Sequence, residues 1–197
     1  NHPDRDKQSG RIWRIKPKGF VPPAVPDYTQ LSSADLIARL GSKIVGDAHL
    51  AWQTLADRGN EGEALEGTLA AIAGDAAAPA ARRIQALWVL GEHGRKIGPL
   101  AMRLLADPNR NIRREAVNAL RHFGAWTPHH DSLAALSADP DTEVRAAAIK
   151  AVIALGAKDA VPKLKAMFLA DINMAGPVIE GFQGLDTELD QTMLAKL

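Results

Sequence analysis

Apolar residues recur along this chain at three- and four-residue intervals, in short blocks separated by turn-forming residues, which is the signature of amphipathic helices. Two blocks are nearly the same sentence. DPNRNIRREAVNALRHFG runs from Asp107 to Gly124, and DPDTEVRAAAIKAVIALG runs from Asp139 to Gly156. Aligned on their last glycines they are offset by 32 residues, so that Ile112 falls on Val144, Arg113 on Arg145, Ala116 on Ala148, Val117 on Ile149 and Leu120 on Val152. Each block predicts a turn followed by a helix. Aspartate or asparagine can cap the free amides at its start, and glycine can adopt the left-handed stop at its end.

The pattern continues upstream. RRIQALWVLGEHG (Arg82 to Gly94) and DAHLAWQTLADRG (Asp47 to Gly59) carry alanine, leucine and the final glycine at the same places, with successive glycines 35, 30 and 32 residues apart. Partner helices lie between. In one, Ser32 and Asp35 have capping-box spacing and Leu31 and Leu36 that of a hydrophobic staple; in the next, Asn60 and Glu63 repeat the box spacing. GPLAMRLLA, PHHDSLAALSA and VPKLKAMFLA each begin near a proline, where its missing amide costs little. The chain therefore reads helix, turn, helix about four times, followed by a degenerate fifth pair and the partial helix LDQTMLAKL. Helix pairs at this period make an α-solenoid.

The motif Asp-Pro-x-x-x-Val/Ile-Arg-x-x-Ala-Val/Ile-x-x-Leu/Val resembles the short bacterial HEAT repeat, of the type also seen in phycobilisome-lyase-like repeat proteins. The resemblance spans roughly Leu31 to Leu185 and is strongest from Arg82 to Gly156. It implies an all-α, right-handed α-solenoid of HEAT-like helix pairs with a short extended N-terminal arm. It also implies a structural ladder between successive repeats, carried here by Arg83, Arg113, Arg145, Asp107 and Asp139. The second repeat has alanine where the aspartate would stand, and the first has neither residue. Stacking geometry explains three arginines at one repeat position better than an anion-binding stripe does.

Residues 1–30 break the pattern. Arg11 to Ile15 alternate polar and apolar like a strand, and Pro17, Pro22, Pro23 and Pro26 follow in an extended linker. HPDRDKQSGRIWRI resembles the last β-propeller strand of planctomycete and verrucomicrobial multidomain proteins, in which a sugar-dehydrogenase-like propeller precedes HEAT repeats and a cytochrome c module. The resemblance implies that residues 1–30 end a preceding propeller-like domain and that 31–197 form the solenoid of about five helix pairs. It further implies a larger exported protein, and the start at Asn1 rather than methionine agrees with a piece of something longer. None of the propeller's catalytic residues falls in this chain.

Candidate chemistry changes the picture little. There is no cysteine, hence no disulfide, thiol nucleophile or cysteine zinc site. No apolar run reaches the roughly 20 residues of a membrane helix. His2, Asp4 and Asp6 share one face of an extended chain, but read better as a solvated loop. His129 and His130 would point about 100° apart on a helix and make poor co-ligands. No catalytic, cofactor or metal residues are assigned. The net charge is only +1, yet Arg82 to His122 hold nine Lys/Arg against three Asp/Glu. Arg82, Arg110, Arg114, Arg121 and Trp126 are thus the candidate polyanion or partner surface. Trp52 and Trp88 lie on apolar faces and read as core. The expected function is a non-catalytic scaffold that contacts a protein or neighbouring domains of its own polypeptide. Nucleic-acid binding, which would also draw in Arg83 and Arg113, is the alternative.

Overall fold

The structure is a computed structural model. It describes residues 17–21, 24–59, 62–94, 97–123, 132, 135–154, 160–184, 191–195 and 197. The strand expected over Arg11 to Ile15 lies outside these residues, as do Trp126, His129 and His130.

Ten α-helices run through the described residues. They are α1 (Ser33–Arg39), α2 (Val45–Arg58), α3 (Glu63–Gly74), α4 (Ala80–Glu92), α5 (Gly98–Leu104), α6 (Arg110–His122), α7 (Thr142–Ala154), α8 (Ala160–Ala170), α9 (Ala175–Gly184) and α10 (Gln191–Leu194). Consecutive helices pack as antiparallel pairs: α1 with α2, α3 with α4, α5 with α6, α8 with α9. The 3-10 turn Leu136–Ala138 packs on α7 in the same way. The second helices stack in order, α2 on α4, α4 on α6, α6 on α7 and α7 on α9, and form one layer. In the other layer α3 touches α5 and α10 touches α8. The architecture is an all-α solenoid of stacked helix pairs.

Stacking is what makes these helices possible. α1 and α5 have seven residues each, far below the roughly 12–15 that let a helix persist alone in water. Their stability comes from burial, each fully buried leucine contributing about 1.5–3 kcal/mol. Leu36, Leu55, Leu69, Leu87 and Leu120 are all buried in one continuous core. The repeated alanine supplies the close approach: Ala51, Ala86, Ala116 and Ala148 are each 0% exposed.

Local starts follow the sequence in part. Ser32 caps α1, its Oγ accepting from the Asp35 amide at 3.1 Å. The Asn60 of the box expected for α3 lies outside the described residues; the helix begins at Glu63, after Gly62 at φ 106°, a positive value that glycine adopts freely. α2 begins at Val45 rather than Asp47, which frees the Asp47 carboxylate for another task. It accepts from Arg39 Nη1 at 2.6 Å and from the Tyr28 hydroxyl. Tyr28 is itself buried in the core, so the end of the expected linker belongs physically to the first pair. Arg58 reinforces this by donating to the Leu31 carbonyl and the Ser33 hydroxyl.

Two glycines mark where backbones meet. Gly41, at φ 73°, sits so close to α4 that a Cβ there would lie 2.7 Å from the Arg82 Cβ, and its amide donates to Gln85 Oε1 at 2.7 Å. Gly91, inside α4, leaves room for the Phe123 ring, which a Cβ would meet at 2.1 Å. We expect Gly91→Ala to destabilise the protein by about 1–3 kcal/mol through this overpacking. Adding Phe123→Leu should recover part of the loss, measured as the urea midpoint of each variant.

Candidate functional site

The chemistry-bearing residues converge on one edge of the stack, at the turns that join the two helices of each pair. From the second pair on, each of these turns begins with an aspartate whose Oδ1 accepts the amide two residues on: Asp75 from Ala77 at 2.9 Å, Asp107 from Asn109 at 2.8 Å, Asp139 from Asp141 at 2.9 Å and Asp171 from Asn173 at 3.0 Å. A short polar side chain that folds back on its own backbone makes an Asx turn, which delivers the chain into the next helix. The four aspartates are spaced by 32 residues throughout. In the second pair the turn from Asp75 to the helix is two residues longer, which moves the aspartate away from the alanine position that glycine alignment selects.

One helical turn later stands the arginine. Arg83 Nη2 donates to Asp107 Oδ2 at 2.5 Å, and its Nε donates to the Ala73 carbonyl at 3.0 Å. Arg113 holds Asp139 with two parallel bonds, Nε to Oδ2 at 2.7 Å and Nη2 to Oδ1 at 2.8 Å. Arg145 Nη2 donates to Asp171 Oδ2 at 2.9 Å. Each bond runs forward, from the arginine of one pair to the aspartate of the next. Backward, Arg113 Nη1 donates to the carbonyls of Asp107 and Pro108, and Arg145 Nη1 to those of Asp139 and Pro140. A single guanidinium thus ties its own turn to its neighbour's. Asp171 is the rung that motif reading misses, because Ile172 follows it instead of proline; its 32-residue distance from Asp139 is the signal that could have found it.

Burial decides how much each rung matters. The Arg83 and Asp107 side chains are 3% and 6% exposed, whereas those of Arg145 and Asp171 are 18% and 32% exposed. The Asp139 carboxyl is held below its ordinary value, chiefly by the Arg113 hydrogen bonds. That of Asp171 is lowered first by the Asn173 amide, with Arg145 contributing less.

Two of the four surface arginines have carboxylate partners. Arg110 Nη1 donates to Asp141 Oδ2 at 2.8 Å, and Arg114 pairs with Glu143 and with Glu115. Arg82 is half-buried against Gly41 with its Nε unbonded, and Arg121 is exposed. Trp88 is half-buried; its indole donates to Glu115 at 3.3 Å, and its ring lies 5.4 Å from both His122 and Phe123. Trp52 packs on the core. His93, at the end of α4, uses Nε2–H to donate to the Leu55 carbonyl in the last turn of α2 at 2.8 Å. Among the described residues no cluster of three or more His, Asp or Glu could hold a metal ion, and no described helix is long and apolar enough to cross a membrane.

No family model matches this chain, and no curated protein matches it. Among solved structures, the complex of CpcE and CpcF of phycocyanin lyase from Nostoc sp. PCC7120 is similar in fold. The superposition has a TM-score of 0.55 at 21% sequence identity and covers 87% of this chain and 70% of that chain. At that identity the likeness establishes the HEAT-like helical fold and nothing about activity.

Truncating one side of the buried rung, as in Arg83→Ala or Asp107→Ala, should cost about 3–5 kcal/mol, because the remaining charge is stranded. Replacing both, Arg83→Met with Asp107→Leu, should restore most of it; chemical denaturation of the three variants checks this. A second expectation concerns acid. The folded Asp139 value lies below the ordinary 3.8, so its contribution is complete above that pH and disappears as pH falls through the lowered value. The slope of melting temperature against pH below about 4 should therefore be shallower in Asp139→Asn than in the parent chain.

Proposed function

We propose that this chain is a non-catalytic scaffold, a HEAT-like module that holds a protein partner or neighbouring domains of its own polypeptide at fixed separation. The observation that carries the reading is the use of the arginines. Arg83, Arg110, Arg113, Arg114 and Arg145 each pair with a carboxylate in the following repeat. Their charge stiffens the stack instead of facing solvent unopposed. The similar solved structure is a complex of two proteins, CpcE and CpcF, and by that likeness a protein partner is the natural occupant of this solenoid's surface. The first pair suits a neighbour on its N-terminal side: Ile44 and Val45 are 71% and 81% exposed, and Val21 and Val25 are exposed in the chain before it. By the resemblance of residues 2–15 to a closing propeller strand, that neighbour is a propeller-like domain, and the parent is an exported oxidoreductase-like protein with a cytochrome module.

The basic middle of the chain favours a second reading, binding of a polyanion through Arg82, Arg121 and Trp126. Two measurements separate them. With spin labels at Gln53 and Gln183, on exposed faces of α2 and α9, a rigid spacer gives one narrow distance distribution that broadens in Arg113→Ala. A broad distribution in the parent chain would sink the scaffold reading. Binding to a short DNA duplex should be weaker than about 10⁻⁴ M at physiological salt; tighter, steeply salt-dependent binding would favour the polyanion.

A further inference from the structure

An open groove of about 310 Å³ runs between α2 and α4, on the layer that the second helices form. Its wall is His49, Trp52, Gln53, Ala56 and Asp57 from α2 and Glu92 from the end of α4. His49, Gln53, Asp57 and Glu92 are exposed, and Trp52 and Ala56 are half-buried. Trp52 packs on the core and also lines the groove. His49, one helical turn earlier, lies beside it with ring centroids 5.7 Å apart. The α2 side of the groove is therefore aromatic.

The charges of the groove select its ligand. Asp57 and Glu92, one on each helix, line it with no lysine or arginine among the described lining residues. Among the described residues neither carboxylate has an ion-pair or hydrogen-bond partner. The acids of the following second helices are each met by a cation: Glu115 and Glu143 by Arg114, and Glu180 by Lys150. Here two acids stand beside an aromatic wall without one. A cation suits both features, since an aromatic ring attracts a positive charge set over its face. A guanidinium suits them best, because its plane stacks on an indole while its edge keeps N–H donors for carboxylates. A neutral sugar ring would stack but leave both charges unopposed, and an anion would be repelled. The groove also has a direction. Val45, His49, Trp52 and Ala56 fall on one stripe of α2, and Val45 is 81% exposed. Seven residues of helix separate Val45 from Trp52, about 10 Å along the axis, which about three residues of extended chain span.

We propose that this groove receives an arginine side chain of a partner protein, its guanidinium stacked on Trp52 and donating to Asp57 and Glu92, with an apolar residue about three positions away resting on Val45. The inference rests on the protein-partner reading above and names what that partner presents.

The test titrates the full chain with the peptide Ac-Val-Gly-Gly-Arg-NH2 and follows the Trp52 indole N–H resonance. One control peptide carries citrulline in place of arginine, which keeps the shape and removes the charge; the other carries glutamate. The shift should saturate with the arginine peptide, be about tenfold weaker in affinity with citrulline, and be absent with glutamate. Asp57→Asn combined with Glu92→Gln alters only exposed side chains, so the melting temperature should stay near that of the parent while arginine-peptide affinity falls about tenfold. If that pair fails to fold, Glu92→Gln alone serves. The proposal is overturned by the absence of a saturable shift with the arginine peptide, by citrulline binding as tightly, or by affinity that survives in the folded carboxylate variant. The scaffold reading stands or falls apart from this: a narrow spin-label distance with no peptide binding removes the site alone, and a broad one with peptide binding removes the scaffold alone.

Discussion

A guanidinium that bonds two repeats at once is the constraint on which the stack depends. Arg113 holds the carbonyls of its own turn and grips the next turn's Asp139 through a two-bond fork. Parallel charge-assisted bonds set orientation as well as distance, which a point charge such as lysine would not do. Helices of seven to fourteen residues have little stability of their own. They persist because apolar burial draws the pairs together, and the rungs determine which turn meets which.

The ladder has a beginning and an end, each with a visible cause. Ala48 occupies the place in α2 that Arg83 occupies in α4, so the first pair has no arginine to send forward. Its junction is a neutral one instead: Gln85 accepts from the Gly41 amide, and His93 donates to the Leu55 carbonyl. At the other end Pro177 stands six residues after Asp171, where Arg113 and Arg145 stand relative to their own aspartates. Asp171 can receive a rung but its repeat cannot extend one. The ion-paired rungs thus join the second to the fifth pair, and the first pair meets the second through packing and neutral hydrogen bonds.

This arrangement also bears on how the surface works. Part of the charge that looks excessive in the middle of the sequence is balanced in space, where Arg83, Arg110, Arg113 and Arg114 each meet an acid one repeat further on. Where Asp139 accepts two bonds the rung closes fully, and where Asn173 competes for Asp171 the rung keeps one bond and Arg145 Nε is left buried without a partner.

The helical pairs, their order and their buried alanines were legible in the sequence because each depends on periodicity within a few dozen residues. The same holds for Asp107 and Asp139 and for the Arg113 and Arg145 positions, which repeat at one interval, but not for Asp75 and Asp171, whose turns depart from the motif. The tertiary structure alone decided which partners meet. That the rungs run forward, that Asp171 closes the last one, and that Arg110 and Arg114 reach acids about thirty residues away are consequences of how far one pair is displaced along the stack from the next. Why Gly91 stands inside a helix is visible only in the Phe123 ring packed against it. Asp47 reads as a helix start until Tyr28 and Arg39 are found on its carboxylate. Periodicity is a property of one segment and survives in a string of letters, whereas contact depends on the distance between segments, which only packing sets.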